Sequence, residues 1–212
     1  MQQDIEEKAQ KGDLQAQAEL GRYFLDQESY PQAKFWLEKA AMQNDASSQY
    51  LLGNMYVNGL DGEPNYTLAR EWIQKAAEQR NVDAMVDLSS FYQDGTGGCE
   101  ISPEKEKYWL EQAAILGDEE AQLELGLIFQ AEENMESAKK WFEEAFTAYQ
   151  SDRAAYFLGR LYLENAEEKA TKELAYDWLK KAVDLGNANA LGFLAKLQAT
   201  EMWRDIEDTQ GF

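Results

Sequence analysis

The residue types that most often perform catalysis are scarce in this chain. It contains no histidine and a single cysteine, Cys99. Histidine is the commonest general base and a frequent metal ligand. Without a histidine, and with no nearby cation expected in its loop, nothing obvious activates the Cys99 thiol. Adjacent carboxylates such as Glu119-Glu120 are abundant, but such pairs are typical of a solvated helix face. We therefore predict that the protein is not an enzyme.

The glycine-rich segment Gly95-Thr96-Gly97-Gly98 is the one stretch that suggests phosphate chemistry. It lacks the Gly-Lys-Ser/Thr ending of a phosphate-binding loop. The carboxylates beside it, Asp94 and Glu100, do not have the spacing of a calcium-binding loop. We expect an inter-helix turn here, and we predict no catalytic, cofactor-binding or metal site in the chain.

The charge balance indicates what the protein binds. Twenty Lys and Arg residues stand against 40 Asp and Glu residues, which gives a formal net charge of −20. Nucleic acid and anionic membranes are disfavoured as ligands, because both are bound through cations. A basic protein would be attracted. The alternative is that the charge only keeps an aromatic-rich chain in solution.

Three features predict a cytoplasmic protein. One cysteine cannot form an intramolecular disulfide. The first seven residues lack the basic and apolar regions of a signal peptide, although a leader removed beforehand would leave no trace. No apolar run approaches the roughly 20 residues that span a bilayer. We expect a monomer in isolation, with no nucleic-acid or membrane ligand.

Five tryptophans mark an internal repeat. They are Trp36, Trp72, Trp109, Trp141 and Trp178, spaced 36, 37, 32 and 37 residues apart. Alanine recurs three residues before and four residues after most of them, on the same stripe of a helix. We call this helix B. The tryptophan is expected to fill the space between helices while the alanines admit a neighbour.

A second motif precedes each tryptophan and defines helix A. It consists of leucine, a small residue and an aromatic residue three positions later. The small residues are Gly21, Gly53, Ser89, Gly126 and Gly159. Glycine inside a helix costs about 1 kcal/mol relative to alanine, so its return at one position predicts close contact between helices.

These motifs predict an all-α chain of five helix-turn-helix repeats with a C-terminal capping helix. We expect a single repeat domain over residues 1–203, followed by an acidic tail over residues 204–212. Asn44, Asn81, Gly117 and Gly186 are expected to end B helices in the left-handed conformation. The predicted repeats cover residues 9–44, 45–81, 82–117, 118–150 and 151–186, and the cap covers residues 187–203.

The combined pattern Ala-x3-Leu-Gly-x2-Tyr, a loop, and Ala-x2-Trp-x3-Ala-Ala-x2-Gly-Asn resembles the Sel-one-like repeat. This family is related to the tetratricopeptide repeat but has a longer and more variable A-to-B loop. The tetratricopeptide repeat itself is the alternative family. The resemblance covers roughly residues 9–200, and Ser89, Glu106, Phe146 and Val183 depart from the pattern. It implies a right-handed α-solenoid that binds proteins, with the A helices on its concave side.

The predicted binding face lies on the A helices, opposite the core. Counting from the small residue as zero, it carries positions −6, −2, +1 and +5. Leu51, Leu127 and Phe157 would anchor a partner. Asp83, Asp87, Glu120 and Glu124 would receive its basic segment, unless this face is merely solvated. The remaining predicted binding residues are Glu19, Asp26, Asn54, Asp94 and Arg160.

The favoured function is a protein-interaction module for a basic partner. By resemblance, a sharper form is an immunity or inhibitor protein that neutralises a toxin or effector. The alternative is a general adaptor for complex assembly. An enzyme using groove carboxylates and a self-assembling spacer with Leu127 and Phe157 in a homotypic contact are the remaining hypotheses.

Overall fold

The fold is a series of antiparallel helix pairs, seen in a computed structural model that describes residues 2–164 and 169–198. All regular structure in those residues is helical, which confirms the predicted all-α class. A short 3₁₀ turn, Thr96–Gly98, precedes α7. The helices are α1 (Gln2–Gln10), α2 (Leu14–Asp26), α3 (Tyr30–Met42), α4 (Ala46–Asn58), α5 (Tyr66–Glu78), α6 (Val82–Asp94), α7 (Pro103–Ile115), α8 (Glu119–Ala131), α9 (Met135–Tyr149), α10 (Asp152–Glu164), α11 (Lys169–Asp184) and α12 (Ala188–Gln198).

The helices form two compact units, unit 1 (Met1–Leu116) and unit 2 (Gly117–Phe212). Even-numbered helices from α2 to α10 are the predicted A helices, and odd-numbered helices from α3 to α11 are the B helices. Each A helix packs most extensively on the B helix that follows it. The end of the predicted cap, residues 199–203, and the predicted tail lie outside the described residues.

A polar cap starts each A helix. Asp13 accepts a hydrogen bond from Ala16 N at 2.8 Å, and Asp118 accepts one from Ala121 N at 2.8 Å. Asp45, Asn81 and Ser151 make the equivalent bond in the other A helices. Each bond satisfies one of the backbone amides that a helix start leaves without a partner. Several carboxylates of this acidic chain therefore stabilise the starts of helices.

The helical glycines bring the two helices of a pair together. A Cβ atom added at Gly21 would lie 2.6 Å from Leu37 Cδ2, and one added at Gly53 would lie 2.6 Å from Ile73 Cγ1. Neither separation is possible for real carbon atoms. Gly126 meets Phe142 and Gly159 meets Leu179 in the same way. The predicted close contact is confirmed, and its partner is the residue that follows the repeat tryptophan.

The tryptophans themselves lie further out than expected. Leu37, Ile73 and Leu110, each directly after a tryptophan, are at most 1% exposed. Trp36, Trp72, Trp109 and Trp178 are half-buried, and Trp141 is buried at 8% exposure. The tryptophans do pack between helices, since Trp36 lies against Ala16 and Leu20 of α2 and Trp72 and Trp178 lie against the neighbouring core clusters. The contact with the helical glycine, however, is made by the residue that follows the tryptophan.

Unit 1 also contains a set of buried glutamines that the hydrophobic pattern did not reveal. Gln49 is 2% exposed, and its amide donates to Ala41 O at 3.1 Å. Gln79 Nε2 donates to Gln49 Oε1 at 2.7 Å. Gln17 and Gln43 repeat this bond, again at 2.7 Å, one repeat earlier. Each amide pair thus joins the two helices of one repeat, the bond to Ala41 O links α4 to the preceding repeat, and these buried polar groups are satisfied.

The helix assignments differ from the prediction in two places. Helix α1 was not predicted, yet Ile5 and Ala9 pack against Ala16 and Leu20 of α2. Asn81 does not end α5 in the left-handed conformation, because its side chain caps α6 and its φ is −70°. Arg80, with φ of 67°, takes that role instead. Asn44, Gly117 and Gly186 have the predicted positive φ.

The core of unit 2 is built around Phe142, which is fully buried in α9. It packs with Leu123 of α8 and with Leu158 of α10. Its ring also stacks on Phe157, with centroids 5.2 Å apart and an interplanar angle of 25°. This cluster joins helices from two successive repeats.

We predict that Gly126→Ala destabilises unit 2 by about 1–3 kcal/mol, because its Cβ would overlap the Phe142 ring. Gly192→Ala in α12 is the matched control, since no atom lies within 4 Å of its Cβ. The control should gain up to about 1 kcal/mol from helix propensity. Urea unfolding followed by circular dichroism measures both changes. Equal effects of the two substitutions would contradict the packing role of Gly126.

We predict that Gln49→Leu destabilises unit 1 by about 1–3 kcal/mol, because Ala41 O and the Gln79 amide lose their partner in a buried place. The control Gln32→Leu changes an exposed residue of α3 and should stay within about 0.5 kcal/mol. Urea midpoints provide the measurement. A neutral or stabilising Gln49→Leu would show that the glutamine bonds are dispensable.

Candidate protein-binding face

The predicted face is accessible in both units, though not uniformly. In unit 1, Glu19, Asp26, Asp83 and Asp94 are exposed, and Leu51, Asn54 and Asp87 are half-buried. In unit 2, Glu120 and Leu127 are exposed, and Glu124, Phe157 and Arg160 are half-buried. The phase set by the helical glycines therefore leaves all of these positions at least partly accessible.

Four polar residues of unit 1 converge between α4 and α6. Burial raises the pKa of the Tyr50 hydroxyl, the nearby Asp87 carboxylate raises it as well, and Asn54 lowers it, so these side chains lie close enough to interact. Asp83 lies one turn before Asp87 on α6 and interacts with it electrostatically. We call Tyr50, Asn54, Asp83 and Asp87 the α4–α6 site. Asn54, Asp83 and Asp87 were predicted, whereas Tyr50 was missed because position −3 lies beside the predicted face.

The electrostatics of this site are unfavourable for the ionised Asp87. Burial raises the pKa of its carboxyl above the usual value, and the neighbouring Asp83 carboxylate raises it as well. The nearby Tyr50 hydroxyl opposes both effects and lowers the pKa of Asp87. Within residues 2–164 and 169–198, neither Asp83 nor Asp87 forms an ion pair. The site thus holds two nearby carboxylates without a compensating cation.

Carboxylates on the corresponding face of unit 2 have partners in their own unit. Glu120 binds Arg153 through two contacts of 2.5 and 3.0 Å. Glu164 contacts Arg160 at 3.2 Å and accepts a hydrogen bond from Gln130 at 2.5 Å. A basic partner would have to compete with these arginines. Glu120 and Arg160 are consequently less available than their charge alone suggested.

The three apolar residues of the predicted face differ in availability. Leu51 packs partly against the cluster formed by Leu37 and Leu52. Phe157 stacks on Phe142 as described above. Both therefore have a packing role that sequence alone did not show. Leu127 is 38% exposed and remains the most accessible of the three.

Asp94 serves the loop that follows α6. Its Oδ1 accepts a hydrogen bond from Thr96 N at 2.8 Å. Hydrogen bonds from Thr96 lower the pKa of the Asp94 carboxyl. Positive φ angles at Gly95, Gly97 and Gly98 confirm that this segment is a turn.

The surroundings of Cys99 require one correction. The sequence suggested no nearby cation, but Arg70 Nη1 lies 3.8 Å from the Cys99 sulfur. The contact attaches the 95–102 loop to α5, where Gly97 also packs on Tyr66 O. We see a structural link here between loop and helix.

Two kinds of feature are absent from the described parts of the chain. No group of three or more His, Cys, Asp or Glu side chains there is arranged to hold a metal ion. No helix there is both long enough and apolar enough to cross a membrane.

Comparison with known proteins identifies the repeat. The sequence profile of the Sel1 repeat matches residues 14–45, 46–81, 82–118, 119–148 and 152–187. Comparison with curated protein sequences gives no match.

Solved structures similar to this chain include Sel1 repeat proteins of bacteria. A protective antigen of uropathogenic Escherichia coli with an SLR fold is 29% identical, with a TM-score of 0.76 over 92% of this chain and 43% of the antigen. A Sel1 repeat protein of Oxalobacter formigenes is 27% identical, with a TM-score of 0.71 over 91% of this chain and 57% of that protein.

A sel1 repeat protein of Klebsiella pneumoniae, 21% identical with a TM-score of 0.52 over 93% of this chain and 99% of its own, shares the fold. The chain thus spans less than two thirds of the length of the Escherichia and Oxalobacter proteins. Five matched repeats over most of its length show that the chain belongs to the Sel1 repeat family.

Proposed function

We propose that the chain binds a basic segment of a protein partner and that the α4–α6 site receives one of its cationic side chains. Sel1 repeats generally mediate protein–protein interaction and are typically not enzymes. The observation that supports the site is the half-buried Asp87 carboxylate beside Asp83, with no cation in contact. A partner would supply that cation.

Two energetic penalties in the free protein would disappear on binding. Like charges one helical turn apart repel by a few tenths of a kcal/mol. Partial burial adds a cost to the ionised Asp87, because charge is less stable away from water. A lysine or arginine placed between Asp83 and Asp87 offsets both. Arginine suits the place better, because its guanidinium group offers five donors to several acceptors at once.

Neighbouring residues complete the binding surface in unit 1. Asn54 offers an amide next to Tyr50, and the half-buried Leu51 offers apolar surface on the same helix. We assign a steering role to the exposed Glu19 and Asp26, since the negative field of the chain accelerates association with a cationic partner.

On unit 2 we assign direct contact to the accessible Leu127. Glu120 and Arg160 would contact a partner only after exchanging their present ion pairs, so we expect smaller effects from them.

A narrower form of the proposal is that the partner is a basic toxin or effector that the chain inhibits by covering its active surface. The alternative is an adaptor that holds a basic partner within an assembly. The activity of the partner recovered from the native cell, assayed with and without the chain, distinguishes the two. Inhibition at equimolar concentration supports the first, and unchanged activity supports the second.

We predict that Asp87→Asn raises the melting temperature by about 1–2 °C at neutral pH. A raised pKa in the folded state means that Asp87 contributes its full stability only when protonated, and that this contribution is lost as pH rises through the folded-state pKa. The gain should therefore shrink as pH falls through the folded-state pKa of Asp87 towards the usual carboxyl value of 3.8. The exposed Glu19→Gln, which changes the net charge equally, is the control. A lower melting temperature for Asp87→Asn at neutral pH would contradict the assigned electrostatics.

We predict that Asp83→Asn combined with Asp87→Asn weakens binding of a basic peptide at least roughly tenfold. The probe is a labelled 12-residue peptide with four arginines, titrated at near-physiological salt and followed by fluorescence anisotropy. Glu6→Gln combined with Glu7→Gln on α1 removes the same charge elsewhere and should change the affinity by less than about twofold.

The same variants test binding of the natural partner. Each variant is used for affinity capture from the native cell, and the recovered proteins are quantified by mass spectrometry. A basic protein should be recovered with the wild type and the α1 variant and depleted with the α4–α6 variant. Equal recovery of that protein by all three would overturn the proposed site.

A further inference from the structure

Large apolar residues that are not buried in the core lie on the exposed side of the B helices in unit 1. Phe35 and Met42 on α3 are 51% and 74% exposed, and Tyr108 and Ile115 on α7 are 52% and 67% exposed. Each pair occupies the same two places, one residue before the repeat tryptophan and six after it. Places seven residues apart lie on one stripe of a helix. We call these two pairs the outer apolar stripes.

Other B helices show that the repeat does not require apolar residues at these places. The equivalent residues are Glu71 and Glu78 in α5, Lys140 and Thr147 in α9, and Asp177 and Asp184 in α11. Those helices still pack on their A helices. Scattered exposed apolar residues are ordinary, but two matched pairs on one side of one unit indicate a contact surface.

Both exposed aromatic rings are held in place. Phe35 meets Trp36 edge-on at 4.9 Å between centroids, and Tyr108 meets Trp109 edge-on at 5.1 Å. A ring fixed against a half-buried indole loses little conformational freedom when a ligand covers it. The stripes are therefore preorganised anchors.

A charged helix lies between the two stripes. Helices α3 and α5 both pack on α4, and α5 and α7 both pack on α6, which places α5 between α3 and α7. Glu71 and Glu78 of α5 are exposed, and neither forms an ion pair within the described residues. Axes of helices in direct contact lie roughly 10 Å apart, and α3, α5 and α7 pack mainly on the A helices beside them, so the stripes are at least roughly 20 Å apart.

We propose that this side of α3, α5 and α7 binds an amphipathic helix of a basic protein partner, with apolar residues at both ends and lysine or arginine in the middle. Glu78 accepts a hydrogen bond from Gln74, but covering Glu71 and Glu78 with an apolar surface would still bury two carboxylates that lack an ion-pair partner, whereas cations satisfy them. A helix spans roughly 20 Å with about 13 residues. A second copy of this chain, with a net charge of −20, offers the wrong charge for these carboxylates.

A synthetic peptide tests the surface directly. The probe is a labelled 18-residue helical peptide with leucines at both ends and lysines at its centre, followed by fluorescence anisotropy at near-physiological salt. We expect Phe35→Ser combined with Tyr108→Ser to weaken binding at least roughly tenfold. Met42→Ser combined with Ile115→Ser should act in the same direction, and Glu71→Lys should weaken binding through charge.

Two controls separate this surface from others. Leu191→Ser, at a residue that is 59% exposed on α12, makes the same type of change elsewhere and should leave the affinity unchanged. Asp83→Asn combined with Asp87→Asn should also leave it unchanged, because the outer apolar stripes do not depend on the α4–α6 site. Circular dichroism confirms that each variant is folded.

Two results would overturn the proposal. The first is wild-type affinity in both serine pairs. The second is a concentration-dependent mass of the wild-type chain in analytical ultracentrifugation that Phe35→Ser with Tyr108→Ser abolishes, since the stripes would then bind a second copy of the chain.

Discussion

The contact between the small residue of an A helix and the residue after the tryptophan of the next B helix determines most of this structure. Gly126 has no Cβ, and this absence lets the Phe142 ring lie directly on the backbone of α8. Gly21 and Leu37 make the same contact in the first repeat. Because this contact fixes the rotation of each A helix, it also fixes which side chains of that helix face outward. The binding face follows from the packing of the core.

Outward-facing positions can differ between repeats, and the two units carry different charge arrangements at these positions. In unit 2, Glu120 and Glu164 are neutralised by arginines of the same unit. In unit 1, Asp83 and Asp87 share a site with Tyr50 and have no cation. Conserving the framework while varying these positions is how one repeat fold can serve many partners. The charge of the chain matters most where it is not compensated internally.

The repeat architecture was predictable because it depends on types of residue that recur at fixed intervals. Glycine in the middle of a helix, at the position of Gly53, is costly unless a neighbour needs the space. The identity of that neighbour, Ile73 and not Trp72, was not predictable, because both lie on the same side of α5 and only the packing decides between them. The buried Gln49 was missed for a related reason. A polar residue at position −4 is interpreted as exposed until its partner Gln79 is known.

The candidate site was predictable only in part. The helical phase correctly placed Asp83 on the outward side of α6. It could not show that Tyr50 of α4 reaches Asp87, because this contact joins different repeats. The helical phase also could not show that Arg153 already forms an ion pair with Glu120. Contacts between repeats depend on side-chain reach, which periodicity along one helix does not contain.

The central claim, that unit 1 receives a cation between α4 and α6, is tested most directly by nuclear magnetic resonance. Backbone amide signals of the isotopically labelled chain are followed while an arginine-rich peptide is added. If the cation binds there, the largest shifts fall on Tyr50, Asn54, Asp83 and Asp87 and saturate with a single affinity. Shifts spread evenly over the acidic residues of both units, or largest on α8, would contradict it.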